Sequence, residues 1–241
     1  MQLNSLENKV AVVTGASSGL GEAAARALAD EGVKVVLVAR SAEKIEGLVE
    51  ELGGGSIAVP TDVGDEAQVE ELFGRVKGEF GGLDLLFNNA GVGYYNMFEE
   101  SETEEWRATI DANLYGVLFC TRAAIPLLRG REGAMICTVS SIGGRSGIAG
   151  WAVYNATKFA VVGFNDALRK ELGPDGIRCS VIEPGAVHTN WGFNIDLTES
   201  REQVEALQGE DIARALIYAF AQPPNVNVQE ALLMPSKQTY P

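Results

Sequence analysis

The chain has 241 residues, 46% of them hydrophobic, which suits one large α/β domain with a substantial core. Nineteen Lys and Arg against 33 Asp and Glu leave a formal charge of −14, which argues against nucleic acid and anionic membrane surfaces as partners. Three scattered cysteines, Cys120, Cys137 and Cys179, read as reduced core residues rather than a disulfide or metal set. The first residues carry no apolar signal core, and no run of about 18 uncharged apolar residues occurs, so the expected location is cytoplasmic, off the membrane.

Apolar runs and helical spacing alternate along the chain. Residues 9–13 read as a strand ending at Thr14-Gly15, and 20–31 as a helix with Ala23, Ala24, Ala27 and Leu28 on one face. Residues 33–39 form an apolar run broken only by Lys34, as in a strand buried on both faces. A helix over 42–52 stops at three glycines, and a strand over 56–60 leads to Asp62. A helix over 65–80 begins near Gly64 or Asp65 and stops at Gly81-Gly82. A strand over 83–87 ends at Asn88-Asn-Ala-Gly91, followed by an aromatic loop containing Tyr94, Tyr95 and Phe98. A long helix is expected over 103–128, with Pro126 bending its end. A strand over 134–139 then ends at Ser140-Ser141, and a second long helix covers 149–172. A strand over 177–182 ends at Pro184-Gly185. Residues 186–206 read as an irregular or weakly helical lid, before a helix over 211–220 and a last strand over 226–233.

This alternation implies right-handed crossovers and a mostly parallel, doubly wound sheet, with residues 1–241 forming a single domain. In such sheets ligands bind beyond the carboxyl ends of the strands, and the chain's unusual motifs cluster at those ends: Thr14-Gly15, Ala39-Arg40, Asp62, 88–91, Ser141 and Pro184-Gly185. Gly15, Gly19 and Gly21 are spaced Gly-x-x-x-Gly-x-Gly between the first strand and helix. Glycines there let backbone approach a pyrophosphate and turn it onto the helix N-terminus. Tyr154 and Lys158, four residues apart, share one face of the second long helix, thirteen residues beyond Ser141. A free tyrosine, with a pKa near 10, is a poor acid–base group at neutral pH, and a neighbouring ammonium favours its phenolate. Arg40 can pair with a phosphate bidentately and stack on adenine.

The glycine spacing, together with Asn88-Asn-Ala-Gly91, Asn113, Ser141, Tyr154, Lys158 and Pro184-Gly185, resembles the short-chain dehydrogenase/reductase family over essentially the whole chain. The resemblance implies a single-domain Rossmann fold of about seven strands in the order 3-2-1-4-5-6-7. It implies a nicotinamide cofactor and hydride transfer between an alcohol and a ketone or aldehyde. Tyr154 would then be the general acid/base, Lys158 would lower its pKa and hold the nicotinamide ribose, Ser141 would bond the substrate oxygen, and Asn113 would kink the long helix and hold a relay water. The implied cofactor site comprises Gly15, Ser17, Ser18, Gly19, Leu20, Gly21, Arg40, Ser41, Asp62, Val63, Asn89, Ala90, Gly91, Tyr154, Lys158, Pro184, Gly185, Val187 and Thr189. Relatives that prefer NAD usually carry Asp where this chain has Ala39. With Arg40 next to it, the expected cofactor is NADP(H), and NAD(H) is less favoured, although Ser17 and Ser18 replace the family's second basic residue.

The substrate pocket is expected between Tyr94, Ile142, Trp151, Val187, Trp191 and Phe193, a lining that suits a hydrophobic carbonyl compound. Arg145 and the segment 222–230 also resemble a branch acting on small hydroxy acids. Arg145 could meet a carboxylate, although a surface or subunit role is favoured for it, so the substrate stays open. His188, the one histidine, is placed in the lid or solvent, and no metal is expected. The resemblance further implies a homotetramer or homodimer. Two other readings are an NAD-dependent alcohol dehydrogenase and a non-catalytic protein that senses NADP(H).

Overall fold

A computed structural model describes residues 4–189 and 191–239. Seven strands form one parallel sheet in the order β3-β2-β1-β4-β5-β6-β7. They are β1 (Val10–Thr14), β2 (Lys34–Ala39), β3 (Ile57–Pro60), β4 (Leu85–Asn88), β5 (Met135–Val139), β6 (Arg178–Pro184) and β7 (Glu230–Leu233). The helices are α1 (Gly19–Asp30), α2 (Ala42–Leu52), α3 (Glu66–Phe80), α4 (Thr103–Ile110), α5 (Gly116–Leu128), α6 (Ala152–Leu172), α7 (Thr198–Gln203) and α8 (Gly209–Phe220). This is the doubly wound α/β architecture expected from the alternation.

Both faces of the sheet are buried, and side-chain alternation along each strand feeds two cores. Val13, Leu37 and Met135 meet Leu28 of α1, Ile45 of α2 and Leu216 and Phe220 of α8. Their neighbours Val12, Leu86 and Ile136 meet Leu72 of α3, Leu128 of α5 and Leu168 of α6. Burying both faces explains why the central strands are apolar runs instead of alternating patterns.

Several boundaries move for local reasons. Asp65, not Gly64, caps α3, accepting from the backbone of Ala67 and Gln68 at 3.0 and 3.3 Å. The helix expected over 149–172 begins only at Ala152, because Gly150 sits at φ +81° with the Tyr95 ring against it. The last strand shortens to four residues, since the Asn227 side chain bonds Cys179 O at 3.0 Å where the ladder would otherwise extend. The long helix over 103–128 is interrupted by a π-helical turn at Asp111–Tyr115, which carries Asn113. Pro126 lies inside α5 near its end.

Candidate active site

The turn after β1 is shaped by its glycines. Gly15 and Gly19 have φ of +68° and +57°, where other residues are strained, and a Cβ on Gly21 would lie 2.2 Å from Gly15 O. Behind the turn, Thr14 Oγ1 accepts the N–H groups of Asn89 and Ala90, both at 3.0 Å, and Asn89 Nδ2 donates to Thr14 O at 2.9 Å. These bonds tie the Asn88-Asn-Ala-Gly91 segment to the end of β1. The first turn of α1 therefore points its free N–H groups over a floor without side chains, a cradle suited to a phosphate group.

That turn opens into a crevice of about 820 Å³ running along the carboxyl ends of the strands. The crevice gathers Gly15, Ser17, Ser18, Gly19 and Leu20 with Arg40 and Ser41 after β2, Asp62 and Val63 after β3, and Asn89, Ala90 and Gly91 after β4. Ser141, Ile142, Tyr154 and Lys158 continue it, then Pro184, Gly185, Val187 and Thr189, with Tyr94, Trp151, Trp191 and Phe193 at the far end. Gly21 lies beneath the turn, and Asn113 lies behind the wall. Arg40 is exposed at the lip. Asp62 closes a local turn, its Oδ1 accepting from Gly64 N at 3.0 Å. His188 is exposed, as expected, and no cluster of potential metal ligands occurs among the described residues.

Ser141, Tyr154 and Lys158 come together at the middle of the crevice. Ser140 is excluded from this group, because its buried hydroxyl donates to Lys158 O at 3.0 Å. Lys158 is buried, its Nζ donating to Val139 O at 2.8 Å and standing 5.5 Å from the Tyr154 ring centre. Burial pulls its ammonium down to about 8. Tyr154 is half-buried, and desolvation pushes its phenol up to about 12, with the Ser141 hydroxyl pulling the other way. From the protein's own groups alone, then, Tyr154 is held as a neutral proton donor.

Asn113 is committed to bracing. Its Oδ1 accepts from Val92 N at 2.8 Å, while Nδ2 donates to Val92 O and Thr157 Oγ1 at 2.9 and 3.2 Å. Both amide hydrogens are thereby used to hold the loop after β4 against α6. Asn155, next to Tyr154, braces the other side: Nδ2 donates to Gly143 O at 2.7 Å and Oδ1 accepts from Ile148 N at 3.0 Å. Sequence reading missed Asn155, and its only signal is its place beside the tyrosine.

The segment expected as a lid is tied down by backbone bonds. Tyr95 N donates to Phe193 O and Phe193 N to Gly93 O, at 3.1 and 2.9 Å, and His188 N bonds Leu207 O at 2.8 Å. Arg201 of α7 donates to the carbonyls of Thr189 and Trp191. Gln238 closes the back, accepting from Ala186 N at 2.8 Å and filling the space a Cβ on Gly185 would need. Neither Arg201 nor Gln238 carries a motif that sequence reading could use. Arg145 is not free for a substrate. It is exposed at the surface, and it donates through Nε to Glu183 Oε2 at 2.8 Å and also pairs with Glu230, forming an ion cluster within the chain.

Sheet order, glycine turn and crevice together define a Rossmann-type protein. The family model for short chain dehydrogenases matches residues 9–200. An uncharacterized oxidoreductase of Staphylococcus aureus strain USA300 is 38% identical over 231 residues, covering 95% of this chain and 98% of that protein. An alcohol dehydrogenase from the archaeon Thermococcus sibiricus, solved with 5-hydroxy-NADP, superposes with a TM-score of 0.89 at 34% identity over 97% of this chain and 99% of that one. A 3-ketoacyl-(acyl-carrier-protein) reductase from Brucella melitensis, solved with NADH, gives a TM-score of 0.88 at 32% identity over 98% and 100%. The chain belongs to the short-chain dehydrogenase family and is an oxidoreductase of that family. No helix among the described residues is long and apolar enough to cross a membrane.

Proposed function

We propose that the protein is an NADP(H)-dependent oxidoreductase that interconverts a secondary alcohol and a ketone, or an aldehyde, with Tyr154 as general acid/base. One observation carries the reading: the side chains of Tyr154, Ser141 and Lys158 meet in the crevice whose other end is the glycine turn. A nicotinamide dinucleotide, when bound, supplies or accepts the hydride. The glycine floor and α1 N-terminus would take its pyrophosphate, Asp62 and Val63 would flank adenine, and the turn 184–189 would face the nicotinamide. Arg40 and Ser41 would hold a 2′-phosphate, with Ala39 offering no acid to repel it. Solved relatives carry both NADP-type and NADH ligands, so the preference rests on residues 39–41.

In the reductive direction Ser141 donates to the carbonyl oxygen, and Tyr154 gives its proton as negative charge develops there. Lys158, protonated at neutral pH, then stabilises the phenolate left behind. Asn113 holds the Val92 loop against α6, and the 186–206 lid excludes water. In the oxidative direction Tyr154 must ionise first. Bringing its phenol from about 12 to near neutrality takes roughly 7 kcal/mol. Lys158 and a bound cationic ring are the available sources. Exposed Tyr115 and Phe159 on the two long helices support assembly into a dimer or tetramer.

The test follows NADPH consumption at 340 nm with a panel of neutral ketones. Tyr154→Phe should bind NADPH as the wild type does and lose turnover by about a thousandfold. A variant that keeps near wild-type kcat would show that another group moves the proton.

A further inference from the structure

The far end of the crevice is built from rings. Trp151 and Trp191 stack with centroids 5.4 Å apart and planes 16° from parallel. Trp191 lies tilted against Tyr154 at 4.8 Å, and Trp151 meets the same tyrosine edge-on at 5.6 Å. The indole N–H of Trp191 donates to Gly91 O at 3.1 Å, so its ring is fixed by a polar anchor as well as by packing. Gly93 makes the arrangement possible: a Cβ there would come within 2.7 Å of Trp191 Cη2 and 2.9 Å of Trp151 Cζ3. At the mouth, Tyr94 and Phe193 stack at 4.8 Å, with Phe193 half exposed.

The cations near this end are all committed. Arg145 is held by Glu183 and Glu230, and Arg201 is spent on the Thr189 and Trp191 carbonyls. Lys158 bonds Val139 O. Arg40 stands at the other end of the crevice, after β2. Among the described residues, no further Lys or Arg lines the crevice. A carboxylate packed against the indoles would lose its water without meeting a cation that is not already bonded to the protein, a cost of several kcal/mol. A flat apolar group would instead meet ring faces and edges, which favour offset or edge-on aromatic pairing beyond simple area burial.

We infer that the Trp151–Trp191 wall selects a neutral carbonyl substrate bearing an aryl group, which packs against the indoles beside Tyr154, and that it rejects keto acids. The inference rests on the reading of the site as a carbonyl reductase and settles which of the two substrate classes left open by the sequence it serves. Trp191 and Trp151 are then specificity-determining residues, and Gly93 is the residue that lets them stack.

Two matched pairs of substrates test this, with NADPH and the full chain. The first pair is methyl phenylglyoxylate and phenylglyoxylate, which differ by the charge beside the carbonyl. The neutral ester should have a kcat/KM at least about a hundredfold higher. The second pair is acetophenone and cyclohexyl methyl ketone, similar in size but differing in the π system. Their intrinsic reactivities differ, so the readout is the change in their ratio on mutation. Trp191→Leu should lower the acetophenone preference by about five- to tenfold. Trp151→Leu and Gly93→Ala, which displaces both indoles, should lower it in the same direction. The inference is overturned if phenylglyoxylate is reduced as well as its ester, or if none of the three variants changes the ratio. Either result leaves the carbonyl-reductase reading standing. Failure to reduce any of the four compounds, or other neutral ketones, overturns that reading and this inference with it.

Discussion

The ammonium of Lys158 donates to the carbonyl of Val139, 2.8 Å away and 19 residues earlier in the chain. The bond fastens the end of β5, two residues before Ser141, to α6, which carries Tyr154, and it buries a charge in doing so.

That burial gives stability a defined pH dependence. Lys158 is lowered from 10.5 to about 8, so between those values the folded protein holds fewer protons than the unfolded chain. The Lys158 contribution to stability therefore rises with pH as the ammonium is neutralised, by about 1 kcal/mol between pH 7 and 9. From about pH 8 upward other groups oppose this rise. Burial raises the thiols of Cys120, Cys137 and Cys179 and the phenol of Tyr154, so the unfolded chain loses those protons first. Urea unfolding at pH 7, 8 and 9, measured without added cofactor, should show the wild type gaining about 1 kcal/mol relative to Lys158→Met across that range. Parallel curves for the two proteins would remove Lys158 as the source.

Arg40 stands exposed at the crevice lip, beside Ala39 where an acid would favour NAD. A charge-assisted pair with the 2′-phosphate is available to NADPH and not to NADH. Arg40→Ala should therefore raise the Kd for NADPH by about tenfold and change that for NADH by less than about twofold. Calorimetric titration with each cofactor measures both. Equal weakening of the two would mean that Arg40 serves adenine or the fold instead.

Glu183 is fully buried with one carboxylate oxygen, Oε1, unpartnered, and Arg145 neutralises the other. Arg145→Met leaves that charge buried and alone. A loss of about 3 kcal/mol is expected, at the low end for a broken buried pair because the guanidinium is partly wet. Adding Glu183→Gln should restore most of it. If the single variant unfolds at the wild-type urea midpoint, the cluster contributes little.

The sequence by itself determined the features that depend on neighbours along the chain. Strand and helix follow from short-range periodicity, and Gly15 and Gly19 mark their turn because positive φ is a local backbone demand. Tyr154 and Lys158 were legible because one helical turn joins them, and Ser141 because a strand end lies a fixed number of residues before that helix. Arg40 was legible as a residue at the end of β2. The tertiary structure decided what depends on partners far along the chain. Arg145 found its partners in Glu183 and Glu230, 38 and 85 residues away. Trp191 reached Gly91, 100 residues back, to build the wall beside Tyr154. Tyr154 itself shows the division most directly. Its identity and spacing point to a proton carrier, yet desolvation in the assembled crevice is what raises its phenol, because burial is a property of the packed molecule and not of any stretch of its sequence.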